Sequence, residues 1–185
     1  HLSIRRQRQM CIRDRHRALA AGLARLGARG AEPFAFTLGL TLPAVDEPWL
    51  AEFSVALADL AGRHGAALVG GDTTRGPLTV SMHLQGLLPA ERPVPNRGAT
   101  PGQLLYVTGA AGGAGLALLD RFGELRLPRR ERDAAYRALQ FPEPPQGLGP
   151  VLRDCASAAR TLDAGLSAAI EGLLVDAHAG ATVHL

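Results

Sequence analysis

Apolar residues recur at three-to-four spacing between Arg17 and Gly30, at Leu19, Leu23 and Leu26, which predicts a helix ending at Gly30. From Phe34 to Leu42 large apolar residues alternate with small or polar ones, the pattern of a strand with one heavily buried face. Asp46 then stands as an N-cap with Pro48 in the first turn of a second helix. Trp49, Leu50, Phe53, Leu57 and Leu60 form its apolar stripe, Glu47, Glu52, Asp59 and Arg63 lie elsewhere on the wheel, and Gly65 ends it. Ala66–Val69 reads as a short strand running into Gly70–Pro77. Leu78, Val80, Met82 and Leu84 alternate with Thr79, Ser81, His83 and Gln85 as a half-exposed strand.

Residues 88–102 carry four prolines and two glycines and read as a linker. Beyond it the pattern predicts a strand at Leu104–Val107, a turn at Gly109–Gly113, and helices at Ala114–Phe122 and Arg130–Leu139. A proline-rich loop at Phe141–Pro145 precedes helices over 147–158 and 164–178. Strands interleaved with helices indicate an α/β (α+β) protein of two sub-domains of mixed sheet plus helices, 16–99 and 100–185. Residues 1–15 are set apart as non-native or disordered, because the chain opens on His1 and Arg5, Arg6, Arg8, Arg13 and Arg15 surround only a short Met10-Cys11-Ile12 patch.

Composition narrows the chemistry. The 185 residues are 46% hydrophobic, enough for a core, and no apolar run approaches the ~20 residues that cross a bilayer. All 20 basic residues are arginine, which excludes Schiff-base lysines and the lysine-dependent P-loop. The net charge of +3 is unevenly spread: residues 1–30 hold eight arginines against Asp14 alone, and the rest holds twelve against sixteen acids. No aromatic is interleaved with the N-terminal arginines, so a solvated tail is expected rather than a nucleic-acid site. Cys11 and Cys155 fit no metal or redox spacing and read as two thiols of a reducing cytosol. His64 sits at a helix end, where the dipole favours a cation, and the arginines from Arg126 to Arg132 are interrupted by Glu131 on a solvated helix face.

One segment is hard to explain as packing. Gly70-Gly71-Asp72-Thr73-Thr74-Arg75-Gly76-Pro77 puts two glycines, an acid, two hydroxyls and an arginine between two strands. Glycines let a backbone approach a ligand and turn N–H groups toward phosphate. Asp72 can hold a hard cation, and Thr73, Thr74 and Arg75 can donate to phosphate oxygens. The alternative is a Gly-Asp hairpin of ordinary turn residues.

Read on to Leu78, this segment resembles the signature loop of thiamine-monophosphate kinases. Gly30-Ala31-Glu32-Pro33 and Gly98-Ala99-Thr100-Pro101-Gly102-Gln103-Leu104-Leu105-Tyr106-Val107-Thr108-Gly109 are similar to two further passages of that family. The resemblance implies the fold of the aminoimidazole-ribonucleotide and selenophosphate synthetases, incomplete at both ends here, in a cytoplasmic homodimer. It also implies ATP-dependent, Mg²⁺-dependent phosphorylation of thiamine monophosphate to thiamine diphosphate. Position by position it implies a nucleotide-contacting set of Gly71, Asp72, Thr73, Thr74 and Arg97, and metal contacts from Asp72 and Asp163. No catalytic side chain is assigned. Arg25, Asn96, Thr161 and Ala164 stand where the family's pattern has functional residues. The alternative is therefore a non-catalytic or inactive fragment that keeps only nucleotide binding or dimerisation.

Overall fold

A computed structural model describes residues 16–90, 92–175 and 177–183; the expectation for residues 1–15 lies outside the described residues. Helix α1 covers 16–28 and turns through Gly30 into strand β1, Glu32–Leu42. Helix α2, Glu47–Arg63, starts as the sequence implies: the Asp46 carboxylate accepts the Trp49 N–H at 3.1 Å, with proline in the first turn. Strands β2, Ala67–Arg75, and β3, Thr79–Leu87, complete a three-stranded sheet of order β2-β1-β3. β2 runs parallel to β1, which the intervening α2 makes possible, and β3 runs antiparallel.

Period-two alternation sorts this sheet into two faces. Phe36, Leu40 and Leu42 of β1 point at the helices, joined by partly buried Leu38, Val80, Met82 and Leu84. Leu19, Ala20 and Leu23 of α1 and Trp49, Phe53, Leu57 and Leu60 of α2 close over them. Trp49 and Phe53 pack at a ring-centroid distance of 5.1 Å. The other face is left open.

Helices α3 (Gly113–Phe122) and α4 (Arg129–Gln140) form a hairpin, followed by α5 (Leu148–Cys155) and α6 (Leu166–Leu174). The hairpin is pinned by Asp120, whose side chain is 1% exposed and bonds Arg132 Nε at 2.8 Å and the Leu127 N–H at 3.1 Å. The Arg132 bond, then the Leu127 N–H, hold the Asp120 carboxyl below its ordinary range, against the effect of burial.

Two expectations change. Gly70–Arg75 is strand rather than loop, because the eleven residues of β1 offer partners as far as Leu42, opposite Arg75. Leu104–Val107 is not a strand: among the described residues it has no neighbouring strand, and Leu104 and Tyr106 are 78% and 81% exposed. A short apolar run without a partner to hydrogen-bond does not make a strand.

Candidate functional site

The register puts the sequence's chemical segment on the open face of the sheet. Asp72 lies opposite Gly39, which lies opposite Ser81; Thr74 lies opposite Thr41, opposite Thr79; Gly70 lies opposite Thr37, opposite His83. These rows make a polar floor of hydroxyls with one carboxylate and one imidazole, and Gly39 at its centre leaves the backbone uncovered. Thr41 and Thr74 share a hydroxyl–hydroxyl bond of 2.9 Å across it. Thr73 and Arg75, one residue out of phase, belong to the helix-facing side of the exposed edge strand β2.

The predicted nucleotide set is thus only partly brought together. Asp72 and Thr74 share the floor, while Gly71 and Thr73 alternate away from it. Asp72 Oδ1 accepts its neighbour's Thr73 N–H at 2.8 Å, which leaves Oδ2 open. Gly71 has a packing reason for being glycine: a Cβ there would run into the carbonyl oxygen of Leu38 on β1. Arg97 sits in a segment held by the C-terminal helices, with Gly98 and Ala99 N–H both donating to Leu173 O at 3.1 Å, and is engaged in an interaction of its own.

Asp163 lies elsewhere. It is bonded to Arg25 of α1, with Nε at 3.0 Å and Nη2 at 2.9 Å from the same Oδ2. Among the described residues no group of three or more His, Cys, Asp or Glu side chains is placed to hold a metal ion. These donors therefore make no all-protein cage for Mg²⁺: Asp163 is bonded to a guanidinium, and Asp72 would offer one carboxylate oxygen, with phosphate and water completing the shell.

Sequence reasoning missed Ser81 and His83 as members of this floor, although their alternation with Val80, Met82 and Leu84 placed them on the polar side of β3. It also missed the seam between the sheet unit and the C-terminal helices. There Arg153, 9% exposed, donates to Gly30 O and to Glu32 Oε1 at 3.1 Å. Arg63 pairs with Glu143 at 3.0 Å and Arg92 with Asp154 at 2.9 Å. A Cβ on Gly149 would meet Ala31 O at 2.5 Å, so α5 passes directly over the Ala31 backbone. A cavity of about 240 Å³ at this seam is lined by residues including Glu32, Arg63, His64 and Gly147. Burial, then the adjacent Arg63 charge, push His64 below its ordinary range. It favours the neutral form instead of the dipole-stabilised cation expected at a helix end. Cys155 is an exposed free thiol, its sulfur 3.1 Å from Val151 O.

Residues 16–88 match the family described as AIR synthase related protein, N-terminal domain. Over 173 residues the chain is 43% identical to the thiamine-monophosphate kinase of Salmonella typhimurium, covering 91% of this chain and 52% of that protein. The crystal structure of thiamine-monophosphate kinase from Stenotrophomonas maltophilia K279a superposes with a TM-score of 0.75 at 32% identity, covering 86% of this chain and 54% of that one. AaThiL complexed with AMPPCP and TMP shares the fold at a TM-score of 0.69 and 19% identity, over 80% of this chain and 48% of that one. The chain spans about half the length of the curated relatives it matches. No helix among the described residues is long and apolar enough to cross a membrane.

Proposed function

We propose, on the premise that this chain is a relative of the thiamine-monophosphate kinases, that it is the nucleotide-binding portion of such a kinase. In the reaction that name describes, the γ-phosphoryl group of ATP passes to the phosphate of thiamine monophosphate, leaving ADP and thiamine diphosphate. The observation that carries this reading is the similarity along nine-tenths of the chain, which includes the Gly70–Leu78 segment. The polar floor is consistent with it. Phosphoryl transfer asks for positioning and charge neutralisation rather than a covalent nucleophile, and an open carboxylate oxygen among hydroxyls is a surface that phosphates and water can both use.

Within this reading Asp72 and Thr74 of the floor approach the phosphates and Arg97 neutralises one of them, while Gly71 and Thr73 lie on the other side of β2. Mg²⁺ is the cation expected with ATP, and Asp72 would give it one carboxylate oxygen beside those of the phosphates. A cytoplasmic homodimer is part of the same proposal. The nine exposed residues of β2, with Leu68 and Val69 54% and 61% exposed, support an association through that edge. A free, exposed edge strand is a poor end state for an isolated subunit.

Calorimetry with a non-hydrolysable ATP analogue, on this chain and on Asp72→Ala, tests the reading. Binding in the parent that is weakened at least tenfold in the variant is the expected result. A folded parent that binds no nucleotide leaves the second reading, a fragment that keeps the fold without the activity. Arg25 and its bond to Asp163 are the specific observation that favours that second reading.

A further inference from the structure

Arg25 is on α1 and Asp163 in the turn before α6, so their bond spans 138 residues of chain. Two guanidinium nitrogens, at 3.0 and 2.9 Å, converge on the single oxygen Oδ2. That arrangement occupies Oδ2, and it places a positive charge in contact with a carboxylate that is itself partly exposed. A divalent ion reaching Asp163 has to displace the guanidinium or sit beside it, and like charges repel at that range. Among the described residues no group of three or more acidic, imidazole or thiol side chains gathers there to offset the repulsion. The same chemistry recurs along the seam in Arg153–Glu32, Arg63–Glu143 and Arg92–Asp154, each a carboxylate neutralised by an arginine.

We propose that Arg25 takes the place of a divalent cation at Asp163. Its guanidinium neutralises this carboxylate and fastens α1 to the segment before α6 without a metal, and its removal opens the carboxylate to one. The inference rests on the kinase reading only for which cation is displaced. The clasp itself stands on the geometry.

The test uses the whole 185-residue chain, with Mn²⁺ as the probe, counted by its free-ion paramagnetic resonance signal. Wild type and Asp163→Asn are expected to give superimposable titrations. Arg25→Asp is expected to bind Mn²⁺ at least tenfold more tightly than wild type. That gain should vanish in the Arg25→Asp/Asp163→Asn double variant, and Mg²⁺ should raise the Tm of Arg25→Asp but not of wild type. Arg25→Gln, which removes the charge without adding a carboxylate, covers the case in which Arg25→Asp fails to fold, and should gain severalfold. Wild-type binding that is lost in Asp163→Asn overturns the proposal. So does a folded Arg25→Gln or Arg25→Asp that gains nothing. Failure of the ATP analogue to bind would leave these outcomes unaffected, so the two readings fail separately.

Discussion

Gly71 separates two explanations of the same residue, a close approach to phosphate and a close approach to a neighbouring strand. In the β1–β2 register it faces Leu38, and an added Cβ would collide with Leu38 O and lie 2.8 Å from Leu38 C and 3.0 Å from Leu38 N. Ordinary contacts are about 3.4–4 Å, so in Gly71→Ala the two backbones must part by roughly 1 Å in the middle of the pairing, an overpacking that costs about 1–3 kcal/mol. Gly70 is the internal control, since its added Cβ meets only Thr37 Cγ2 at 4.0 Å. Gly70→Ala should stay within about 0.5 kcal/mol of wild type. In thermal unfolding followed by far-ultraviolet circular dichroism, without nucleotide, Gly71→Ala should lower Tm by about 2–12 °C and Gly70→Ala by little. Because β2 is an edge strand, its amides should lose hydrogen-exchange protection before those of the central strand β1. A Gly71→Ala protein that unfolds like wild type in ligand-free buffer refutes the strand-packing argument and returns Gly71 to the phosphate cradle.

Other expectations follow from the core, the seam and the hairpin. Phe53, 2% exposed against Trp49, should cost about 3–5 kcal/mol when cut to alanine, read as a shift in urea midpoint at unchanged slope. Arg153→Ala removes a largely buried guanidinium from Gly30 O and should cost about 1–3 kcal/mol, whereas Arg63→Ala, an exposed pair, should cost under about 1 kcal/mol. The reverse order would mean that the seam is not held at Arg153. Asp120 titrates below its ordinary value in the folded chain. Its contribution is therefore present above about pH 4 and lost as pH falls through the folded pKa. Comparing acid unfolding of wild type and Asp120→Asn checks this: the wild-type loss of stability below pH ~4 should be shallower in the variant, and identical slopes would rule Asp120 out.

What the sequence made legible was whatever local chemistry decides. The cap at Asp46 and the stripe from Trp49 to Leu60 needed no partner to be read, and α2 forms where they place it. The alternation in β3 likewise assigned Val80, Met82 and Leu84 to the core and Ser81 and His83 to the open face. What could not be read was pairing. Gly70–Arg75 looks like a loop by composition and becomes strand because β1 runs alongside it, while Leu104–Val107 looks like a strand and finds no neighbour. β-structure is decided by the adjacent strand more than by the residues themselves.

The candidate site was obscured for the same reason at longer range. Asp72 is legible as a carboxylate in an unusual segment, but its usable chemistry depends on Gly39, Thr41 and Ser81, which register alone brings beside it. Asp163 looks equally available in the sequence, and only the fold reveals that a guanidinium from the far end of the chain already holds it. The two carboxylates therefore differ in kind. Asp72 keeps an oxygen turned to open solvent on a polar floor, whereas Asp163 is half of an ion pair that closes a seam. In the proposed reading a nucleotide would work with the first and without the second. Charge on its phosphates would then be met by Arg97, by backbone and hydroxyl donors, and by whatever cation the nucleotide itself carries in.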